Sequence, residues 1–471
     1  MVLTDREEGV VPTEPARDDR ADDKPRTSPP ERQAAPSHGS LVDAHVGRYS
    51  ARAKDMAASE IRALFAVAAR PEIVSLAGGM PYVTALPLDA VGDMAGQLVA
   101  QRGAAALQYG PAQGDPALRE GICEVMALEG IRAHPDEVVV TAGSQQALDL
   151  ITRIFADPGD VVLAEAPSYV GALGTFASYQ AQVVHVPMDD HGLVPEALGE
   201  SLARLRGQGR RVKFLYTVPS FHNPAGVTLS APRRAEVLGI CQRAGLLVIE
   251  DNPYGLLGFD TEPLRALRAD DAHGVVYLGS FSKTIAAGLR VGWALAPAGI
   301  RDKLVLAAEA AVLCNSSLTQ LMVGEYLAGQ PWREQIKVFR ELYRERRDAM
   351  LDTLGAVMPE GCRWTRPGGG FYVWLRLPPG LNSKSMLPRA ISSRVAYVPG
   401  TGFYADGGGA EYLRLSYCFP GPARIREGIR RLAEVIGAEA EIRATFGPSR
   451  AAGGGAGPAD LTGPAGGPAS Q

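Results

Sequence analysis

The sequence predicts an α/β protein followed by a smaller α+β region, and two observations carry this. Short apolar runs alternate with helical stretches through the middle of the chain, and long helices and brief strands replace them after about residue 301. Length agrees, since 471 residues exceed one small domain and suit two or three packed units. A composition 46% hydrophobic and 21% charged is that of a globular chain with a large core.

The elements follow in order. Residues 1–45 are rich in Pro, Asp, Glu, Arg and Ser with almost no aromatic side chains, so they are expected to be a disordered tail. Residues 50–75 read as an N-terminal helix leading into the core. Strands are expected at 137–141 (EVVVT), 160–164 (DVVLA), 182–187 (QVVHVP), 212–217 (VKFLYT), 246–250 (LLVIE), 275–279 (VVYLG) and 291–296 (VGWALA). Their Val- and Leu-rich continuity is that of strands buried on both faces. SQQALDLITRIFA and PRRAEVLGICQRAG supply helices between them. Beyond residue 301 come two long helices, the short strands in GGFYVWLRL, RVAYVPG and EYLRLSY, and the helix ARIREGIRRLAEVIG. Residues 447–471 are Gly, Ala and Pro, a second disordered tail.

Charge and cysteines narrow the class. A net charge of -4 gives no argument for nucleic acid or an anionic membrane. No stretch approaches the ~20 apolar residues that cross a bilayer, and MVLTDREEGVV lacks the order of a secretory signal. The five cysteines are scattered, without CxxC or metal-ligand spacing, and read as reduced thiols. The expected setting is cytoplasmic, with no metal.

One segment concentrates chemistry. In GSFSKTIAAGLRVGW, residues 279–293, Lys283 stands at a strand's end with Ser280 and Ser282 beside it and Arg290 seven residues on. An aldehyde cofactor with a phosphate arm needs such a set: an amine to form an imine, and hydroxyls and a forked guanidinium to hold a dianion. Alone, a lysine in a serine-rich turn stays ambiguous. Gly143, Ser144 and Gln145, in VVTAGSQQALDL, fall where a strand becomes a helix, and free N–H groups there can cradle phosphate. Asp251, in VIEDNPYG, falls at the carboxyl edge of a strand, where α/β sheets place ligands.

The segment around Lys283 resembles the pyridoxal 5′-phosphate lysine signature (S-x-S-K, then G-x-R-x-G-W) of class I/II aminotransferases of fold type I, over about residues 50–440. That resemblance implies a large domain with a mostly parallel, mixed seven-stranded sheet between helices, plus a smaller α+β domain. It places the large, cofactor-binding domain at 91–325 and the small domain at 326–446, with residues 46–90 as a helix and substrate-side segment belonging to the latter. It implies that Lys283 forms the aldimine and shuttles the proton, and that Asp251 pairs with the pyridine nitrogen. Asn223, in SFHNPAG, and Tyr254 would hydrogen-bond the phenolic oxygen; Tyr169 would stack on the ring. Arg414, in EYLRLSYCF, would fork the substrate α-carboxylate, with Asn223 beside it. Tyr109, in LQYGPAQGD, would reach the phosphate of a neighbouring subunit, which makes a homodimer with shared active sites. His222 reads as a local hydrogen-bonder.

AASEIRALF and VSLAGGMPYVTALP resemble the 2-aminoadipate/kynurenine aminotransferase branch. Arg62 then falls on an arginine for a distal carboxylate, Gly79 lies where substrate passes, and 2-oxoglutarate is the expected acceptor in a ping-pong cycle. Leu86 and the run MPYVTA depart from that branch, so the pocket near Tyr82, Phe371 and Phe403 leaves aromatic, aminoadipate-like and branched donors open. Two other classes compete. One is a different pyridoxal-phosphate reaction on an amino acid (lyase, decarboxylase or cyclising synthase). The other is a remnant of the branch's transcriptional regulators, disfavoured because the residues before the core lack the periodicity of a DNA-binding domain.

Overall fold

The structure is a computed structural model that describes residue 43, residues 45–54 and residues 70–446. The chain divides after Tyr49 into two units. Of the first, a single 3-10 turn, Val46–Arg48, is described. Everything that follows belongs to the second, from Ser50 on. Of the helix expected over 50–75, Ala51–Lys54 is described and residues 55–69, Arg62 included, lie outside the described residues. Both expected tails lie largely outside them as well.

The first strand, β1 (Val74–Ser75), is short and joins the C-terminal part of the chain. The main sheet then follows: β2 (Val138–Thr141), β3 (Val161–Ala166), β4 (Gln182–Asp189), β5 (Gly192–Leu193), β6 (Val212–Thr217), β7 (Leu247–Asp251), β8 (Val275–Ser280) and β9 (Gly292–Leu295). Their order is β2-β9-β8-β7-β6-β3-β4-β5. The pairs β8/β7, β7/β6, β6/β3 and β3/β4 are parallel, while β9 runs antiparallel between β8 and β2. Each of the seven expected runs is a strand. The eighth, β5, is a two-residue return from β4 around Gly192, too short for an apolar run to mark it.

Periodicity sets the layers around this sheet. In the helix Ser144–Phe155 one face, Ala147, Leu148, Leu150 and Ile151, is buried against β-strand valines. The helix Ala231–Ala244 has proline in its first turn and ends at Gly245 (φ 64°), whose N–H donates to the last turn. Because the sheet is covered on both faces, strands such as β2, β3 and β8 are almost wholly apolar and buried. Four parallel strands end at one edge, at Ala166, Thr217, Asp251 and Ser280, and β2 runs in the same sense to Thr141.

The C-terminal part carries the antiparallel sheet β10 (Arg363–Trp364), β11 (Tyr372–Arg376), β14 (Tyr412–Ser416) and β13 (Val398–Pro399), in that order. β12 (Val395–Ala396) pairs in parallel with β1. The helices Trp332–Val357 and Pro422–Phe446 pack beneath it in one core that also takes in Val74, Leu76 and Leu86. The N-terminal segment thus crosses from the C-terminal core to the mouth of the main sheet, which brings Gly79 to the site.

Candidate active site

The carboxyl edge of the main sheet opens into a cavity of about 380 Å³. Its wall includes Gly79, Ser144, Gln145, Tyr169, Asn223, Asp251, Tyr254, Ser280, Ser282, Lys283, Arg290 and Arg414. These residues span more than three hundred positions of sequence, and the topology alone gathers them.

Lys283 follows β8 directly. Its Nζ donates to the Gly79 carbonyl at 3.0 Å and lies 5.7 Å from the centre of the Phe371 ring. Burial pulls this amine down to about 8; the Cys418 sulfur opposes the shift, and the Arg414 and Arg290 cations add to it. Asp251 closes β7. Its Oδ2 accepts from the Tyr216 hydroxyl at 2.8 Å, whereas its Oδ1 is buried with no partner among the described residues. Burial raises the carboxyl to about 6, against the Tyr216 hydrogen bond and the Lys283 charge. An unpaired buried carboxylate oxygen is costly, so Oδ1 is a waiting acceptor.

Arg414, on β14, is 2% exposed. It donates from Nη1 to Asn223 Oδ1 at 2.9 Å and from Nη2 to the Ala77 carbonyl at 2.7 Å, while Nε has no partner among the described residues. Its guanidinium lies 4.2 Å from the Tyr372 ring centre and 5.1 Å from that of Phe403. The fork is therefore held flat and aimed. Tyr254 faces Tyr372 across a long 3.5 Å hydroxyl contact.

At the opposite end, Ser280 Oγ donates to Ser282 Oγ at 2.9 Å, and Arg290 Nη1 lies 3.3 Å from Ser282 Oγ. Arg290 adopts φ 54°, a left-handed conformation that a non-glycine residue enters at a cost of about 1–2 kcal/mol. Its Nη2 donates to the Ala142 carbonyl at 2.9 Å, beside the start of the helix Ser144–Phe155. Gly143 (φ 80°) is the cap of that helix and backs the cavity without lining it: a Cβ there would stand 2.5 Å from Arg290 Nη2. Gly292 is equally constrained, since its Cβ would meet the Gly143–Ser144 backbone at 2.6 Å. Gln145 is turned aside, donating to Thr175 Oγ1 at 2.8 Å. The Tyr169 ring folds over Gly171, where any Cβ would approach it to 2.5 Å, and burial raises its hydroxyl to about 12.

Tyr109 is 76% exposed and stands apart from this cavity in its own chain. His222 is fully buried; its Nε2 lies 3.1 Å from Glu165 Oε2, and its Nδ1 accepts from the Ala225 N–H at 3.3 Å. Two wall or support residues fall outside the motifs that mark the site in sequence: Tyr372 and Tyr216. Tyr372 sits in an anticipated strand, but nothing local marks which of its faces meets the site. Tyr216 lies in a buried apolar run, where only its hydroxyl, awkward in a core, signals a partner.

The fold is that of an α/β protein whose sheet edge brings a buried lysine amine, an aspartate and a fixed arginine into the wall of one cavity. Residues 72–432 match the family described as aminotransferase class I and II, and the chain belongs to that family. It is 40% identical over 390 residues to aromatic-amino-acid aminotransferase 1 of Thermococcus litoralis, covering 82% of this chain and 94% of the relative. Kynurenine aminotransferase of Pyrococcus horikoshii, solved with PMP, superposes with a TM-score of 0.81 at 41% identity, covering 84% of this chain and 98% of that one. α-Aminoadipate aminotransferase of Thermus thermophilus, solved with N-(5′-phosphopyridoxyl)-L-leucine, gives 0.78 at 39% identity, covering 84% and 99%.

Proposed function

We propose that this aminotransferase holds pyridoxal 5′-phosphate on Lys283 and moves the amino group of an L-amino acid to 2-oxoglutarate in a ping-pong cycle. The single observation that carries the reading is a lysine and an aspartate that line one cavity. Lys283 has its amine drawn down to about 8, and Asp251 has a buried Oδ1 awaiting a donor. The residues fit the cofactor. Asp251 would accept from the protonated ring nitrogen. Asn223 and Tyr254 would flank the phenolic oxygen, and Tyr169 would stack on the ring. Ser280, Ser282, Arg290 and the N–H groups of Ser144 and Gln145 would take the phosphate, while the Gly143 N–H is spent on the Thr141 carbonyl. Bound pyridoxal phosphate supplies an aldehyde that takes up amines and a ring that accepts the electron pair of a breaking Cα–H bond.

The chain's own groups do the rest. Arg414, oriented by Asn223 and Ala77, binds the substrate carboxylate and so fixes which Cα bond is poised to break. Lys283 would carry the proton from the substrate Cα, and an amine near 8 is well matched to that task at neutral pH. Met80, Val170, Val218 and Tyr372 give the rim an apolar character that suits aromatic and other apolar donors, in line with the relatives' names. Arg62 would receive a distal carboxylate. We further infer a cytoplasmic homodimer in which Tyr109 reaches the partner's phosphate; its exposure in one chain suits that role. Among the described residues no helix is long and apolar enough to cross a membrane.

The test mixes purified, cofactor-loaded enzyme with a panel of amino acids and follows the cofactor absorbance. Conversion to the aminated form, reversed by 2-oxoglutarate, is expected. Release of ammonia or CO₂ without that reversal sinks transamination.

A further inference from the structure

Behind the wall that carries Asp251 and Tyr254 lies a carboxyl that the proposed chemistry does not use. Glu129 follows the helix Pro116–Ala127 and is 3% exposed. Its Oε1 accepts from Asn252 Nδ2 at 2.6 Å and its Oε2 from the Tyr277 hydroxyl at 2.7 Å. Neither Glu129 nor Asn252 lines the cavity.

Asn252 is the residue between Asp251 and the Pro253–Tyr254 turn. Its backbone N–H is tied to the Leu278 carbonyl at 2.9 Å, but its Oδ1 is buried with no partner among the described residues. The bond to Glu129 is thus the hydrogen bond that fixes this side chain. Glu129 touches the turn again on the far side of Tyr254. A Cβ on Gly255 would stand 1.9 Å from Glu129 Oε1, so carboxyl and turn backbone are in direct contact. One side chain therefore touches this turn at Asn252 and again at Gly255, with Tyr254 between the two contacts and Asp251 next to the first.

We propose that Glu129 is a positioning residue, acting through Asn252 to set where Asp251 and Tyr254 meet the cofactor. The inference rests on the pyridoxal phosphate reading above. It predicts loss of cofactor affinity without loss of any group that touches the cofactor, as supporting partners behind a binding site commonly produce.

The experiment compares wild-type protein with E129Q, N252A and the double variant. Each is prepared as apoenzyme, checked by thermal melting, and titrated with pyridoxal 5′-phosphate. Two quantities are read on each: the dissociation constant, and the pH midpoint of the absorbance change of the loaded protein. The expected result is roughly tenfold weaker binding in E129Q and in N252A, with a displaced midpoint in both and a double variant no worse than N252A. A role confined to packing would lower the melting temperature and leave that midpoint where it is. Wild-type affinity and midpoint in E129Q and N252A overturn the inference, as does a double variant whose loss is the product of the single losses. Should E129Q not fold, N252A alone decides, by the same two readings. Wild-type protein that takes up no pyridoxal phosphate overturns the functional reading instead, and this inference with it.

Discussion

Arg414 is the side chain whose alteration should be most informative about substrate. It is buried, anchored by two hydrogen bonds, and sandwiched against aromatic rings. Arg414→Lys keeps the charge but loses the fork, and hydrogen bonds to charged groups are worth about 1.5–3 kcal/mol. Steady-state kinetics should show KM for the amino donor rising roughly 10- to 100-fold, with cofactor affinity little changed. Lys283→Ala removes both the amine that would hold the cofactor and the proton carrier, so turnover should fall by at least about 10²-fold. The pH dependence has a definite sign. An amine near 8 is mostly protonated at pH 7, and only the neutral form attacks an aldehyde. The rate of reconstitution of apoenzyme, followed by stopped-flow absorbance, should therefore rise through about pH 8 and then level.

The strongest support for the local geometry comes where strands hand over to turns, and here sequence and structure diverge in what they reveal. Lys283, Asp251 and Asn223 are readable because each sits in a short motif with a turn residue or strand end beside it, whereas Arg414, in the middle of β14, is readable only through the family resemblance. The convergence of the first three on one cavity follows from parallel strands ending at one edge, and Arg414 reaches it from the antiparallel sheet. Glu129 and Tyr216 are not readable. Glu129 meets Asn252 across 123 positions and Tyr216 meets Asp251 across 35, and nothing local in either segment encodes the partner. The strand β5 is hidden for a different reason, because two residues cannot show a period. Gly292 marks the same handover between elements. Its Cβ would press on the Gly143–Ser144 backbone, which cannot yield as a side-chain tip can. Gly292→Ala should cost about 1–3 kcal/mol in denaturant unfolding of the apoenzyme, and should weaken phosphate-dependent cofactor binding as well.

Across the entire fold, several carboxyls titrate far from their ordinary range. Burial raises Glu129 to about 7 and Asp251 to about 6, so the folded state binds protons that the unfolded chain has already released. Their contribution to stability is complete below the unfolded values, near 4, and is lost as pH rises through 6 to 7. Hydrogen bonds and neighbouring cations hold Asp160 and Asp189 below the usual carboxylate range, so they do not mask the trend. Calorimetry of the apoenzyme should show the melting temperature falling between about pH 5 and 7, with a shallower fall in Glu129→Gln. For assembly, sedimentation should give a dimer, and a stable monomer with full activity would remove Tyr109 from the site.

The strand β9 has a bearing on how the chain comes to be assembled. Among the described residues it is the sole strand partner of β2 and joins it to β8, so the serine–lysine turn and the Gly143 helix start become neighbours only when residues 138–141 meet residues 292–295. Between them in sequence lie β3 to β8, so this pairing is one of long sequence separation. Pairing at such separation is slow compared with local helix formation. A ligand that needs both turns can therefore be captured only after the sheet is closed, and in refolding the cofactor signal should trail the recovery of helical signal. Loading with the cofactor would then act as a molecular proof-read of that pairing, adding its binding energy to chains in which β9 has joined β2 to β8.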